Sequence, residues 1–264
     1  MSLVLTERDR FLLLYLWQNR YMVHRQVYAR FWEGSDRKAK ARRRIALLEK
    51  AGYLRCEENR YVRLLLETDR VLIYITKAGC AALVGHGDLP AKYINDYPVQ
   101  SLQVAKLHTP ARIHDLQVVD LRLALSRTLK VQSWFSDHEL RLVRKELGQR
   151  NRVPDGVFQV DLNGVEREFV LENERERYYS QSFKAVLELL RRQHGQAFVL
   201  VVSETVIHRD NMVQWAKQGA WVDRPEQLLF GVYDAVATQG AAADWLSTQG
   251  PIQSDHPLRT GIRQ

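Results

Sequence analysis

The feature that most constrains the fold is a basic segment at residues 37–50. Ala41, Ile45 and Leu48 recur there at helical spacing, which predicts an amphipathic helix with one buried side. Cationic residues fill the other side: Arg37, Lys38, Lys40, Arg42, Arg43 and Arg44. Gly52 follows, and glycine is the residue at which such a helix commonly ends. A helix with an apolar back and a basic front fits a recognition helix that enters the major groove of DNA.

Two helices are predicted before this segment. Thr6 begins the first, because its hydroxyl can accept a hydrogen bond from a free amide of the first turn. The second is expected at about residues 23–32, and Ser35 is expected to cap the third helix. The order of elements is therefore helix, helix and basic helix.

A hairpin is predicted after the basic helix. Strand-like residues 53–56 and 60–66 flank the polar turn Glu57-Glu58-Asn59, and residues 71–75 form a further strand. Arg60 and Arg63 could reach phosphates beside the groove. Three helices followed by a hairpin are typical of a winged helix-turn-helix, which predicts binding to double-stranded DNA.

The charge distribution points to the same region. Residues 1–64 hold 15 Lys and Arg against 7 Asp and Glu, which is the whole formal excess of +8. The remainder holds 24 of each sign, so it is neutral. A basic module joined to a neutral body is expected of a polyanion-binding protein, although a solvated basic face without a partner would carry the same charge.

The chain is interpreted as two domains with a linker. A DNA-binding domain is expected over residues 1–84 and an irregular linker over 85–108. A second domain is expected over 109–238, and the Gly-, Ala-, Ser- and Gln-rich residues 239–264 are expected to form a flexible tail with at most a short helix around Trp245.

The second domain is predicted to follow the order α-β-β-β-α-β, then α-β. Thr109-Pro110 begins its first helix, and basic residues 141–152 are read as a loop. Asn163-Gly164 is a strong hairpin signal between strands at 153–162 and 165–173. The apolar residues 197–202 predict a central strand between two helices. The fold class is therefore mixed, α+β or α/β, with a mixed sheet.

Three carboxylates are predicted to meet at one end of this hairpin. Asp155 precedes the first strand, and Glu172 and Glu174 share a face of the second because they lie two residues apart. Such a set could bind Mg²⁺ or Mn²⁺, which would activate water against a phosphodiester. Lys184, on the next helix, could lean over the site. The alternative interpretation is an ion-pair network with the nearby arginines Arg167, Arg175 and Arg177, and the sequence favours neither. His114, on the first helix of this domain, is expected to form a structural hydrogen bond, with a contribution to the carboxylate site as the alternative.

Two resemblances extend this interpretation. Pro154-Asp155 followed by Glu172-Asn173-Glu174, in this element order, resembles the PD-(D/E)XK nuclease superfamily, in which an aspartate and the first acidic residue hold the metal. That resemblance implies metal ligation by Asp155 and Glu172, with Glu174 and Lys184 as the further catalytic candidates. Glu174 stands where the superfamily pattern has lysine, which departs from that pattern.

The whole layout also resembles the replication-relaxation family of plasmids and integrative elements. The matching stretches lie between residue 5 and about residue 190 and include residues 5–9, 42–54 and 75–79, His114-Asp115-Leu116 and Pro154-Asp155-Gly156. The resemblance implies a DNA-binding protein of a mobile element, acting in replication, transfer or its regulation.

Three functions stay open at this point. The first is an accessory or regulatory DNA-binding protein whose degenerate nuclease-like domain serves dimerisation or docking to replication or transfer proteins. The second is a metal-dependent endonuclease, and the third is a transcriptional repressor. DNA binding itself is expected to require no cofactor. Only Cys56 and Cys80 are present, and no run is apolar enough to span a membrane, so we expect a cytoplasmic protein without a disulfide framework or a zinc site.

Overall fold

The structure, a computed structural model, describes residues 3–32, 37–58, 71–96, 109–148, 152–175, 180–219 and 221–262. The chain divides into two compact units, residues 1–119 and 120–264. In the described ranges the helices are α1 Glu7–Asn19, α2 His24–Phe31, α3 Arg37–Lys50, α4 Lys77–Gly85, α5 Thr109–Thr128, α6 Asp137–Glu146, α7 Ser180–His194, α8 Val206–Ala216, α9 Tyr233–Gln239 and α10 Pro257–Thr260. The strands are β1 Met22–Val23, β2 Leu54–Glu58, β3 Val71–Ile75, β4 Val131–Ser136, β5 Gly156–Leu162, β6 Val165–Glu174, β7 Phe198–Ser203, β8 Leu228–Val232, β9 Leu246–Ser247 and β10 Gly250–Pro251. The fold is mixed α and β, as the sequence predicts.

The first unit contains α1, α2 and α3 and a small antiparallel sheet in the order β1-β3-β2. β1 lies between α1 and α2, and β2 and β3 follow α3. Thr6 caps α1 as predicted, and Asp9 completes the reciprocal capping box. α3 is followed by Gly52, whose φ of 81° is the left-handed conformation that glycine adopts at little cost. The helices predicted from periodicity are therefore present; Ser35, the expected cap of α3, lies outside the described residues.

The hairpin after α3 differs from the expectation. Glu57 and Glu58 were expected in a turn, but they belong to β2, which pairs with β3; the expected strand at 60–66 lies outside the described residues. Residues 59–70 are outside the described ranges. β2 pairs with β3 because β3 is the central strand of the three. A central strand needs apolar residues on both faces, and the fully buried Leu72 and Ile73 supply them.

The expected linker is described only up to residue 96. There a 3₁₀ turn, Ala91–Tyr93, places the ring of Tyr93 5.6 Å from that of Trp17 on α1, and Leu89 is buried. α5 begins at Thr109, where the sequence predicts a helix, and the boundary between the two units falls within it. The early part of α5 therefore packs in the first unit and the later part in the second.

The second unit is built on a seven-stranded mixed sheet in the order β10-β9-β8-β7-β6-β5-β4. The strands β6, β7 and β8 are parallel, and their neighbours are antiparallel. One face packs against α7 and α8 through an apolar core that includes Val170, Phe183 and Phe230. Asn163 and Gly164 both have positive φ, as a two-residue hairpin requires.

Two segments of the second unit correct the sequence interpretation. Residues 141–152 were read as a loop, but α6 extends through Glu146, and Ser136 and Glu139 form a capping box at its start. The C-terminal segment was expected to be flexible, but it forms β9, β10 and α10, and Trp245 is 1% exposed. Small and polar residues suffice there because a few large side chains, among them Trp245 and Leu258, are almost completely buried.

A row of aromatic rings crosses the middle of the sheet on the face opposite that core. Trp134, Phe158, Phe169 and Phe198 are register partners on four adjacent strands. Their successive ring centroids lie 4.5, 5.3 and 5.0 Å apart and are nearly parallel. Offset stacking of this kind adds to the hydrophobic burial of each ring.

Candidate functional site

The first candidate surface is the basic side of α3. Ala41 and Leu48 are fully buried and Ile45 is 2% exposed, which confirms the predicted apolar side. Four cationic side chains of the opposite side are exposed: Lys38, Lys40, Arg42 and Arg43. Arg37 begins the helix, but its side chain and all of Arg60 and Arg63 lie outside the described residues.

Arg44 is engaged inside the first unit. Its Nε donates to Asp9 Oδ1 at 2.9 Å and its Nη2 forms an ion pair with Asp9 Oδ2. Another hydrogen bond runs from Arg44 Nη2 to the carbonyl of Val4 at 2.9 Å. Asp9 itself is 1% exposed, so the guanidinium of Arg44 neutralises a buried carboxylate. The pattern of the helix groups Arg44 with the surface cations, but its contacts give it a role in positioning α3 against α1.

A cavity of about 570 Å³ adjoins this surface. It is lined by residues of α1 and α3 and by the residues that cap α1 and α2: Thr6, Glu7, Arg8, Asp9, Trp32, Lys40 and Arg44. The guanidinium carbon of Arg8 lies 5.5 Å from the centroid of the Trp32 ring, a cation–π contact. Sequence reasoning missed Arg8 because it was read only as part of the helix start, and no local pattern places it beside Lys40.

The second candidate site is the carboxylate cluster, defined as Asp155, Glu172 and Glu174. Asp155 lies beside the end of β6, because its amide donates to Leu171 O at 3.1 Å and its Oδ2 accepts from the amide of Asn173 at 2.7 Å. Glu172 and Glu174 share a face of β6, as alternation predicts, and both are almost completely buried. The hairpin therefore brings the predicted carboxylates to one end of the sheet.

Arg152 contributes a cation to this cluster, and the sequence did not predict that role. Its Nη2 donates to Glu172 Oε2 at 3.0 Å and to Glu174 Oε1 at 3.1 Å. Arg144 on α6 holds the Arg152 backbone, since Arg144 Nη1 donates to the Arg152 carbonyl at 2.5 Å. The sequence interpretation considered Arg167, Arg175 and Arg177 as possible ion-pair partners. Arg152 and Glu172 are 20 residues apart in the sequence, so no local spacing links them.

Burial and the charge of Asp155 raise the pKa of Glu172 well above its usual range, although the guanidinium of Arg152 opposes them. The Oε1 atom of Glu172 is buried and has no hydrogen-bond partner in the described ranges. Burial thus penalises the ionised form of Glu172, and the guanidinium of Arg152 offsets part of that penalty.

The nuclease resemblance implies a divalent metal at this cluster, and the arrangement of its side chains bears on whether one fits. Among the described residues, no group of three or more His, Cys, Asp and Glu is arranged to hold a metal ion. Arg152 Nη2 lies between Glu172 and Glu174, where a metal would need their oxygens. Lys184 is half-buried on α7, and no described ion pair joins it to the cluster. As arranged, these residues do not fit a bound divalent metal.

The remaining candidate from the sequence, His114, has a structural contact. Its Nδ1 lies 3.4 Å from Asp115 Oδ1, while Asp115 Oδ2 accepts from Tyr21 Oη at 2.9 Å and from Arg20 Nη1 at 3.2 Å. All of these residues belong to the first unit. The hydrogen bond that the sequence analysis favoured for His114 is therefore present.

Comparison with protein-family models, with curated proteins and with solved structures found no match. In the described part of the chain, no helix is both long enough and apolar enough to cross a membrane. Any account of function therefore rests on the two sites described above, a basic helix face in the first unit and a guanidinium-bridged carboxylate cluster in the second.

Proposed function

We propose that this protein binds double-stranded DNA through the exposed basic side of α3, in a winged helix-turn-helix domain formed by the first unit. The element order α1-β1-α2-α3-β2-β3 supports that assignment. In such domains the third helix enters the major groove while neighbouring elements contact the phosphates. The proposal assigns the groove to Lys38, Lys40, Arg42 and Arg43.

The observation that carries the proposal is the division of α3 into an apolar inner side and a cationic outer side. The helix contains seven Lys and Arg and a single acidic residue, Glu49. Glu49 is occupied at the end of the helix, where its Oε1 accepts the amide of Cys56 at 2.8 Å. A helix that served only as a solvated strut would balance its exposed charges along its length. Concentrated cations on one rigid face suit a polyanion instead.

The cavity beside α3 extends the proposed surface. Arg8 and Lys40 both line it, and Arg8 is held over Trp32. A guanidinium supported by an aromatic ring loses less conformational entropy when it binds a phosphate than a freely rotating one does. We assign Arg8 to a phosphate next to the groove, and Arg44 to the internal ion pair with Asp9.

The biological setting that we propose follows from the replication-relaxation resemblance. The protein is assigned as an accessory or regulatory DNA-binding protein of a mobile element, with a second unit that resembles PD-(D/E)XK nucleases but does not catalyse hydrolysis, and that serves dimerisation or docking. The ion pairs of Arg152 with Glu172 and Glu174 support this choice over the endonuclease alternative. A nuclease of that kind needs these oxygens for Mg²⁺ or Mn²⁺.

The test is binding of a fluorescent duplex by the Lys40→Ala/Arg43→Ala double variant. We expect affinity to fall roughly tenfold or more, and the slope of log K against log salt to become shallower by about 2, because two phosphate or base-edge cations are removed. The readout is fluorescence anisotropy at several salt concentrations.

The matched control is Arg192→Ala/Lys217→Ala, which removes the same charge from exposed positions of the second unit. It should leave affinity and salt dependence nearly unchanged. Equal losses in both double variants would mean that binding follows net charge alone. No loss in either would remove α3 from the interface.

A further inference from the structure

The carboxylate cluster contains an arrangement that neither nuclease chemistry nor DNA binding explains. A single nitrogen, Arg152 Nη2, contacts one oxygen each of Glu172 and Glu174, at 3.0 and 3.1 Å. The two glutamate side chains are 2% and 5% exposed, whereas the Arg152 side chain is 38% exposed. The guanidinium therefore enters from solvent and bridges two buried carboxylates, which is the position that a cation shared by both would take.

The backbone of Arg152 is fixed by hydrogen bonds from a second arginine. Arg144 of α6 donates to the Arg152 carbonyl at 2.5 Å and to Gln193 Oε1 of α7 at 2.8 Å. This second guanidinium thus ties the Arg152 backbone to two helices. A side chain anchored in this way keeps its charge close to the carboxylates without a large loss of conformational entropy on pairing.

A cation is needed at this place because buried carboxylates are costly unless they are paired. Asp155 adds a third acidic group, with one oxygen fixed by the amide of Asn173. Oxygen donors of this type are the ones that Mg²⁺ and Mn²⁺ prefer. The donor chemistry would suit a hard cation, but the guanidinium already uses one oxygen of each glutamate.

We propose that Arg152 occupies the place of a divalent cation, so that the carboxylate cluster is a metal-independent ion-pair centre whose latent cation site appears only when the guanidinium is removed. This inference concerns the second unit and does not depend on DNA binding by α3. Its failure would leave the proposed DNA-binding function intact, because the two are measured with different variants and different ligands.

The experiment measures Mn²⁺ binding to the full chain by electron paramagnetic resonance, in which bound Mn²⁺ loses the sharp signal of the free ion. We expect no saturable binding to the wild type and no change in its Tm on adding EDTA. We expect Arg152→Met to bind about one Mn²⁺ per chain and to gain Tm when Mn²⁺ is added, because the metal replaces the lost positive charge. A further Asp155→Asn change in that variant should weaken the binding at least tenfold.

Two controls keep the result interpretable. Arg141→Met removes another arginine, paired with Asp137 at the surface, and should behave as the wild type. If Arg152→Met does not fold, Arg152→Met/Glu174→Gln removes one buried charge together with the guanidinium and still offers Asp155 and Glu172 to Mn²⁺.

Two outcomes would overturn the proposal. Saturable Mn²⁺ binding by the wild type that Asp155→Asn abolishes would show that the guanidinium does not exclude the metal. Absence of binding in both folded Arg152 variants would show that the carboxylates are not placed around a cation position at all.

Discussion

At the scale of single residues, Asp9 connects the start of α1 to α3. Its Oδ2 accepts from the amide and the hydroxyl of Thr6, at 2.6 and 2.7 Å, and both of its oxygens contact Arg44 of α3. Burial by itself would raise the pKa of Asp9, but the hydrogen bonds from Arg44 and Thr6 outweigh it and hold the pKa below its ordinary value. One carboxylate thus caps α1 and fixes α3 against it.

This pair predicts a pH-dependent loss of stability. Because the folded pKa of Asp9 is depressed, its contribution is fully present above the pKa of the unfolded chain, about 4, and is lost as the pH falls through the folded pKa. We expect Asp9→Asn to lower the free energy of unfolding by roughly 2–3 kcal/mol at pH 7. Urea unfolding between pH 3 and pH 7 measures this. The difference in unfolding free energy between Asp9→Asn and the wild type should become smaller below about pH 4.

The comparison variant is Glu7→Gln, an exposed acid in the first turn of the same helix. Its effect should stay within a few tenths of a kcal/mol, about what a surface charge near a helix N-terminus contributes. A gap for Asp9→Asn that persists unchanged at pH 3 would mean that the ionised pair is not the source of the stability.

The sequence did not predict the ion-pair partners of two arginines, Arg44 and Arg152. Helical spacing placed Arg44 beside the surface cations of α3, and only the fold brings Asp9 to it from the first helix. Arg152 lies in a stretch read as an irregular loop, so nothing local linked it to Glu172 and Glu174. Alternation and hairpin geometry did predict that the acids would meet, because those rules act over a few residues.

At the scale of elements, caps and periodicity predicted most of what is observed. α1, α3, the hairpin at Asn163-Gly164 and β8 follow from local signals that the structure confirms. α6 was missed although Ser136 and Glu139 are spaced as a capping box, since the basic residues after it were taken for a loop. The pairing of β2 with β3 was missed because strand pairing depends on burial in the sheet, which spacing does not encode.

The row of stacked rings makes a prediction about the sheet. Phe158 is fully buried between Trp134 and Phe169, so Phe158→Ala should lower the free energy of unfolding by about 3–5 kcal/mol. Phe135→Ala is the control: Phe135 neighbours Trp134 on β4 but is 47% exposed, and its truncation should change stability within about 0.5 kcal/mol. Urea unfolding measures both, and similar effects would mean that the row is not a packed core.

At the scale of the whole chain, the last residues are integral to the second unit. Gly240 has φ 59°, and a Cβ there would lie 2.3 Å from Thr128 Oγ1 and 2.5 Å from Ala124 O, both on α5. The next amide, of Ala241, donates to Thr128 Oγ1 at 3.0 Å. The abundance of small and polar residues predicted a flexible tail. The observed packing instead depends on one position, Gly240, where the absence of a side chain allows close contact with α5.

Gly240→Ala therefore combines steric overlap with backbone strain, and we expect a loss of about 2–5 kcal/mol. Gly87→Ala separates the two causes, since Gly87 has φ 78° but open space around the added Cβ; its loss should be about 1 kcal/mol. Thermal unfolding with urea titration measures both variants. Equal losses of unfolding free energy in the two variants would mean that backbone strain alone explains the effect. Steric overlap of the added Cβ with α5 would then be rejected as a cause.

The bridge between Leu129 and Ile262 has a consequence for how the protein is made. It joins residue 129 to residue 262 within a unit that starts at residue 120, whereas the first unit ends at residue 119. During synthesis the basic helical module can assemble while the ribosome is still translating the rest. The second unit can close only after residue 262 has been synthesised, so this long-range contact delays its folding relative to that of the first unit.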